Sequence, residues 1–383
     1  MDLKILKKEA MMKMSFLKMI ILLFTVLLPC QLFSQNVNEE EISDSTYKSR
    51  LTLLPVLGSA PETSFMFGAV AMQQFKTAGA GPETRPSNII LSSIYTLNNQ
   101  VLVEFIPAVI LPEESWILAG ALFAHYFPAN YWGIGPDTRS EDQINFEYKM
   151  FMARFMGLKR ISHSFYAGPI VRWYKNYDFA FTDKDGLTYD PAGLTGQDGG
   201  SALGLGGAIR WDKRNSIMTP TKNHFLEFMV TFHSRVFGTT FSFSEFRLDG
   251  RKYYDLKGDG TSVLAFHTLL QATAGDTPFL DLAKVGGSQI MRGYYLGRFR
   301  DNHSLQVQTE FRQHLKGRFG FAIFGGIGNV WPQWNDIDLN HTKWAAGAGL
   351  RFNLNPGDTT NLRIDFAAGP NTTGLYLTLG EAF

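Results

Sequence analysis

A single cysteine, Cys30, occurs among 383 residues, so no intrachain disulfide and no thiolate metal site can be built. Beyond the amino-terminal stretch no segment approaches the ~18 consecutive apolar residues that a transmembrane helix needs. Charge of one sign is also lacking: 36 Lys and Arg balance 35 Asp and Glu, which excludes the basic face that a nucleic-acid partner would demand. The histidines at 125, 163, 224, 233, 267, 303, 314 and 341 have no HExxH spacing, and no G-x-S-x-G elbow is present. "GQDGGSALGLGG" at 196–207 lacks the Gly-Lys-Ser/Thr ending of a phosphate loop and reads as a loop entering a strand. "EEE" at 39–41 and "PEE" at 112–114 read as solvated turns rather than metal sites. The chain therefore reads as a non-enzyme with no cofactor and no metal.

What is present begins with five lysines, Lys4 to Lys18, ahead of an apolar run from Met19 to Leu28 and then Pro29. This reads as a secretory signal over residues 1–34, with Met11, Met12 and Met14 leaving the start codon open. Cys30 follows Leu27-Leu28-Pro29, a poor lipoprotein box, and would be lost with the signal. Residues 35–49 are polar and read as a short flexible periplasmic lead, and 50–383 as one domain. With 14% aromatics and 37 glycines, this domain is either a large soluble β-fold or an outer-membrane barrel.

Period-2 alternation runs through the domain. In 302–315, Leu305, Val307, Thr309 and Phe311 share one face, and Gln306, Gln308, Glu310, Arg312 and His314 the other. Strands are expected at 50–59, 64–76, 87–97, 100–111, 115–128, 145–157, 163–176, 201–212, 223–235, 240–255, 262–274, 302–315, 318–331, 341–354, 359–369 and 373–383. Sixteen is an even number, as bacterial barrels require. The longest connections, 129–144, 177–200 and 275–301, all follow odd-numbered strands and so share one end. Short turns such as "KGDG" at 257–260 and "NPGD" at 355–358 fall at the other, the asymmetry of extracellular loops and periplasmic turns. Most tryptophans fall near strand ends, where interfacial girdles form. The expected fold is an all-β, transmembrane antiparallel β-barrel of 16 strands.

"GGSQIMRGYYLGRFRDNHSLQVQTEFR", from Gly286, resembles the Arg-Gly-aromatic loop and following strand of the BamA/TamA superfamily, the bacterial surface-antigen barrels that insert or translocate proteins at the outer membrane. "LTLLPVLGSAPETSFMFGA", "GGAIRWDKRNSIMTPTKNHFLEF", "FAIFGGIGNVW" and the closing "GLYLTLGEAF" extend the resemblance over nearly all of 50–383. It implies that the sixth extracellular loop folds into the lumen and that its arginine, Arg292, pairs with acidic groups on the inner wall. Gly293 permits a tight reversal, and Tyr294 and Tyr295 can wedge against the wall. Glu310 points inward and is the expected partner. Gly326 stands where the family often has an aspartate, and Asp365, also inward by alternation, is the substitute.

Pro55 and Gly58 weaken the first strand, which a closed barrel must pair with 373–383, so Pro55, Gly58, Gly374 and Phe383 mark a seam. This is the feature of a lateral gate, or of a bulge that sets curvature. The resemblance further implies periplasmic POTRA domains, which residues 35–49 cannot supply. The expected function is insertion or translocation of proteins, with lipids a second cargo, through that seam; the alternative is a passive channel or scaffold subunit. Expected partners are outer-membrane lipid, periplasmic proteins and outer-membrane protein substrates, and the expected location is the bacterial outer membrane.

Overall fold

The computed structural model describes residues 49–355 and 358–383. The signal expected over 1–34, nearly all of the lead expected over 35–49 and the centre of the 355–358 turn lie outside the described residues.

Nineteen strands follow one another among the described residues. The first half comprises β1 (Arg50–Ala60), β2 (Ser64–Phe75), β3 (Ser87–Thr96), β4 (Val101–Ile110), β5 (Trp116–Tyr126), β6 (Ala129–Tyr131), β7 (Ile144–Ser162), β8 (Phe165–Thr182) and β9 (Gly200–Asp212). The second half comprises β10 (Asn223–His233), β11 (Phe243–Asp255), β12 (Ser262–Gly275), β13 (Ala283–Val285), β14 (Phe299–Asp301), β15 (His303–His314), β16 (Phe319–Trp331), β17 (Lys343–Asn355), β18 (Asp358–Gly369) and β19 (Thr372–Leu379). All pairings are antiparallel between neighbours; β5 and β6 both pair with β7 and act as one interrupted strand, while β13 and β14 pair only with each other. A β1–β19 pairing closes the ring into a sixteen-stranded barrel.

The alternation in the sequence explains why the sheet closes with its polar face inside. On β15, Ser304, Gln306, Gln308, Glu310 and Arg312 are buried, while the residues between them face outward. On β16 the outward Ile323 and Ile327 are each 52% exposed. A water-soluble sandwich buries its apolar face; here that face is the outer one, as a lipid-facing wall requires.

Three strand ends differ most from expectation. Strands β7 and β8 run well past 157 and 176, and the connection expected at 177–200 shrinks to 183–199. The strand expected to end at 176 passes through a bulge, where Asp178 has a φ of 55°, after which the ladder resumes. The last strand stops at Leu379 instead of continuing to 383. Gly380, with φ of 79°, adopts a left-handed conformation that turns the chain out of the wall.

Candidate functional site

The connection between β12 and β15, residues 276–302, packs against inward-facing side chains of the wall. Val285, Ile290, Met291, Tyr294 and Phe299 form one apolar cluster with Leu269 of β12, Val330 of β16 and Ala345 of β17. Small wall residues make room for it: a Cβ on Gly328 would press on Met291 and Val285.

At the tip Arg292 is fully buried and donates to both Glu310 of β15 and Asp365 of β18, carboxylates that are themselves fully buried. Its guanidinium carbon lies 3.4 Å from the ring centre of Phe324 on β16, a cation–π contact. The next residues are held through their backbone. Gly293, at φ 111°, donates its N–H to the Tyr376 hydroxyl at 2.7 Å, and its carbonyl accepts from Thr372 Oγ1 at 2.6 Å. Tyr294 donates to the Trp344 carbonyl at 3.2 Å, and Tyr295 accepts from the Asn130 N–H at 3.1 Å. Leu296 N–H donates to the Glu62 carboxylate in the β1–β2 turn.

Around Arg292 the charges alternate in a closed ring. Glu310 accepts from Arg312 Nε at 2.6 Å, and Arg312 lies 3.7 Å from Glu381. Glu381 accepts from Arg351 Nε at 2.8 Å, Arg351 donates to Asp365 at 2.6 Å, and Asp365 returns to Arg292. Arg363 adds a third arginine to Asp365 at 3.5 Å. Four arginines and three carboxylates leave one positive charge. Burying charges like these is tolerable only because each is paired, and deleting one partner strands the other. The register explains the convergence. Arg312 faces Ala322 of β16, Ala322 faces Gly349 of β17, and Gly349 faces Asp365, so small residues separate the charged ones. A Cβ on Gly349 would collide with the Asp365 carboxylate.

The sequence points to Arg292, Glu310 and Asp365, and the structure brings these together. Sequence reasoning did not single out Arg312, Arg351, Arg363, Phe324 or Tyr376 as members, and Glu381 lies in the part of the chain expected to be strand. The inward parity of Arg312 and Arg351 on their strands was the available signal.

The seam residues are placed differently. In β1, Pro55 pairs with Ala69 of β2. Gly58 sits against the last strand, where an added Cβ would meet the Leu377 carbonyl at 2.9 Å. Gly374 pairs with Ala367 of β18 and leaves space for the Tyr376 ring, whose hydroxyl an added Cβ would meet at 2.6 Å. Phe383 is not a seam residue. It follows the turn at Gly380 inward, is 3% exposed, and packs against His267 and Tyr253, with the Arg312 guanidinium 5.2 Å from its ring centre. Arg312 also donates to the main-chain oxygen of Phe383 at 2.9 Å. Beside this tail is a cavity of about 210 Å³ lined by Arg312, Arg351, Glu381, Asn361 and Thr219. Among the described residues, Ser59↔Leu377 is the single registered pair between β1 and β19, whereas β1 and β2 pair from Arg50↔Gln74 through Ala60↔Ser64.

Comparison with known proteins agrees with this architecture. BamA from Haemophilus ducreyi lacking POTRA domains 1–3 superposes with a TM-score of 0.60 at 11% identity, over 87% of this chain and 70% of that one. CdiB from Escherichia coli gives 0.55 at 10% identity over 88% and 68%, and CdiB from Acinetobacter baumannii 0.50 at 11% over 86% and 65%. At such identities the likeness is one of fold. A search of curated protein sequences gave no match. Residues 137–383 match the Omp85 superfamily domain, which covers more than half of the chain. The protein is thus a bacterial outer-membrane β-barrel and belongs to the Omp85 superfamily.

Proposed function

We propose that this barrel inserts or translocates protein chains at the outer membrane by parting between β1 and β19, with segment 276–302 held in the lumen as an internal brace. The observation that carries the reading is the contrast at the β1 edge: a ladder along all of β1–β2 against one registered pair with β19. Separating backbone in lipid costs several kcal/mol for each unsatisfied polar group. A seam with so few bonds is the cheapest place for the wall to open.

Side chains tie the β19 side of the seam to the brace. Glu381 belongs to the tail that follows β19, and the charge ring joins that tail to β15, β17, β18 and Arg292. The carboxyl-terminal end of the seam is thereby tied to the brace, and loosening one loosens the other. The partners this requires are outer-membrane lipid, a protein substrate and a periplasmic protein that delivers it. The site performs no covalent chemistry in this scheme.

Ser59→Cys with Leu377→Cys, in a chain with Cys30 replaced, tests the reading, since facing strand residues lie within disulfide reach. Oxidation in cells should stall outer-membrane protein assembly and reduction should restore it. A verified crosslink that leaves assembly and growth unchanged overturns the gate and favours a passive channel or scaffold.

A further inference from the structure

A barrel wall with water inside alternates apolar and polar residues, and strands buried on both faces read instead as continuous apolar runs. Strands β1, β3 and β4 follow the second pattern, with "LTLLPVL", "NIILSSI" and "VLVEFIPAVI". The register sets out their inward rows. Leu54, Val70, Ser92, Glu104 and Phe123 lie on one, and Thr52, Met72, Ile90 and Ile106 on the next toward the short-turn end. Leu54 is 40% exposed, and Val70, Ile90 and Ile106 are only half-buried. The apolar residues of 276–302 do not cover this wall; they cluster on β12, β16 and β17.

At the edge of this wall lies a cation, Arg154, drawn toward Glu227, a carboxylate already held by Arg210 at 2.5 Å. Arg154 of β7 pairs in register with Ala121 of β5 on one side and with Arg172 of β8 on the other. Like charges directly opposite on neighbouring strands destabilise a sheet. Arg172 is neutralised by Glu245 at 2.6 Å and by Asp281 at 2.8 Å. Arg154 has no hydrogen bond or ion pair among the described residues. The carboxylate on the wall, Glu104, is engaged by His125 at 3.1 Å. Two strand spacings, about 10 Å, separate the β4 row from Arg154, which suits one headgroup beside its own chains.

We propose that the inner wall of β1–β5 holds an anionic lipid inside the barrel, with its acyl chains on the Leu54, Val70, Ile90 and Ile106 surface and its phosphate on Arg154. A peptide fits less well, because this face offers side chains and the wall backbone is already paired on either side. The site is independent of whether the seam opens.

Native mass spectrometry of the full barrel, stripped of lipid in detergent, tests this by titration with dilauroyl phosphatidylglycerol, uncharged dilauroylglycerol and inorganic phosphate. The wild type should bind one phosphatidylglycerol well ahead of either other probe. Arg154→Gln should weaken it at least tenfold, Arg154→Lys should recover most of the loss, and the pair Ile90→Asn and Ile106→Asn should weaken it as well. Trp344→Ala, on the outer wall, should change nothing. Compact migration of unheated samples verifies the fold of each variant, and Arg154→Lys with the isoleucine pair decides the matter should Arg154→Gln fail to fold. Equal binding by wild type and the Arg154→Gln variant, phosphate binding as tight as lipid binding, or a matching loss in Trp344→Ala would overturn the proposal.

Discussion

Strand β1 is held in opposite ways along its two edges. Toward β2 the backbone ladder is continuous, and toward β19 one registered pair remains while Gly58 allows the two strands to approach. The difference shows that a barrel need not be closed evenly by its backbone. On the far side of this edge, β19 and its tail are held by side-chain contacts to segment 276–302, β17 and β15 rather than to β1: Gly293 on Tyr376, Arg351 on Glu381, and Arg312 on the main-chain oxygen of Phe383. Backbone ladders open in steps, each breaking one pair. A ring of buried charges is cooperative, since breaking one contact leaves partners unsatisfied.

Arg292→Ala should sharpen that contrast most. Glu310 keeps Arg312 and Asp365 keeps Arg351, but two charged hydrogen bonds and the contact with Phe324 are lost together, which should cost about 3–5 kcal/mol, read as a lowered urea midpoint of the barrel in lipid vesicles and as new protease cleavage within 276–302. Arg292→Lys should recover only part, because one ammonium cannot span both carboxylates in the fork geometry.

Glu381→Gln comes next. It removes the anion between Arg312 and Arg351 and should cost about 2–3 kcal/mol, the worth of a charged hydrogen bond. If tail and brace are coupled, protease sensitivity in 276–302 should rise with it, although among the described residues Glu381 has no hydrogen bond or ion pair with that segment. A variant whose tail loosens while 276–302 stays protected would separate the two.

Gly58→Val should cost about 1–3 kcal/mol by overpacking against the Leu377 carbonyl and the Met66 side chain. Its signature is local: amides of 372–379 should exchange faster while those of β7 and β8 do not change. The smallest effect belongs to Tyr376→Phe, which removes the acceptor for the Gly293 N–H and should cost about 1 kcal/mol, seen as a small shift of the same urea midpoint.

Much of the fold was legible because the period-2 pattern is a direct record of which side chains face lipid. The pattern on β15 identified Glu310 as inward, and the Arg-Gly-Tyr-Tyr motif identified Arg292. Alternation assigns faces but not neighbours, so it could not reveal that Arg312, Arg351 and Asp365 converge over the small residues Ala322 and Gly349. The end of β19 was misjudged for a similar reason. "LGEAF" continues the apolar rhythm of a strand, but a left-handed Gly380 turns the tail inward, and the Arg312 and Arg351 guanidiniums that receive it lie far off in sequence. The long β7–β8 hairpin was cut short because a bulge and a turn use the same residue types.

Amide hydrogen exchange of the barrel in lipid discs, followed by peptide, tests the central claim most directly. Peptides covering 50–60 and 372–379 should exchange well ahead of 144–162 and 165–182, and Arg292→Ala should widen the gap. Equal, slow exchange in all four, unchanged by Arg292→Ala, would mean that the wall is uniformly closed and that no seam exists to open.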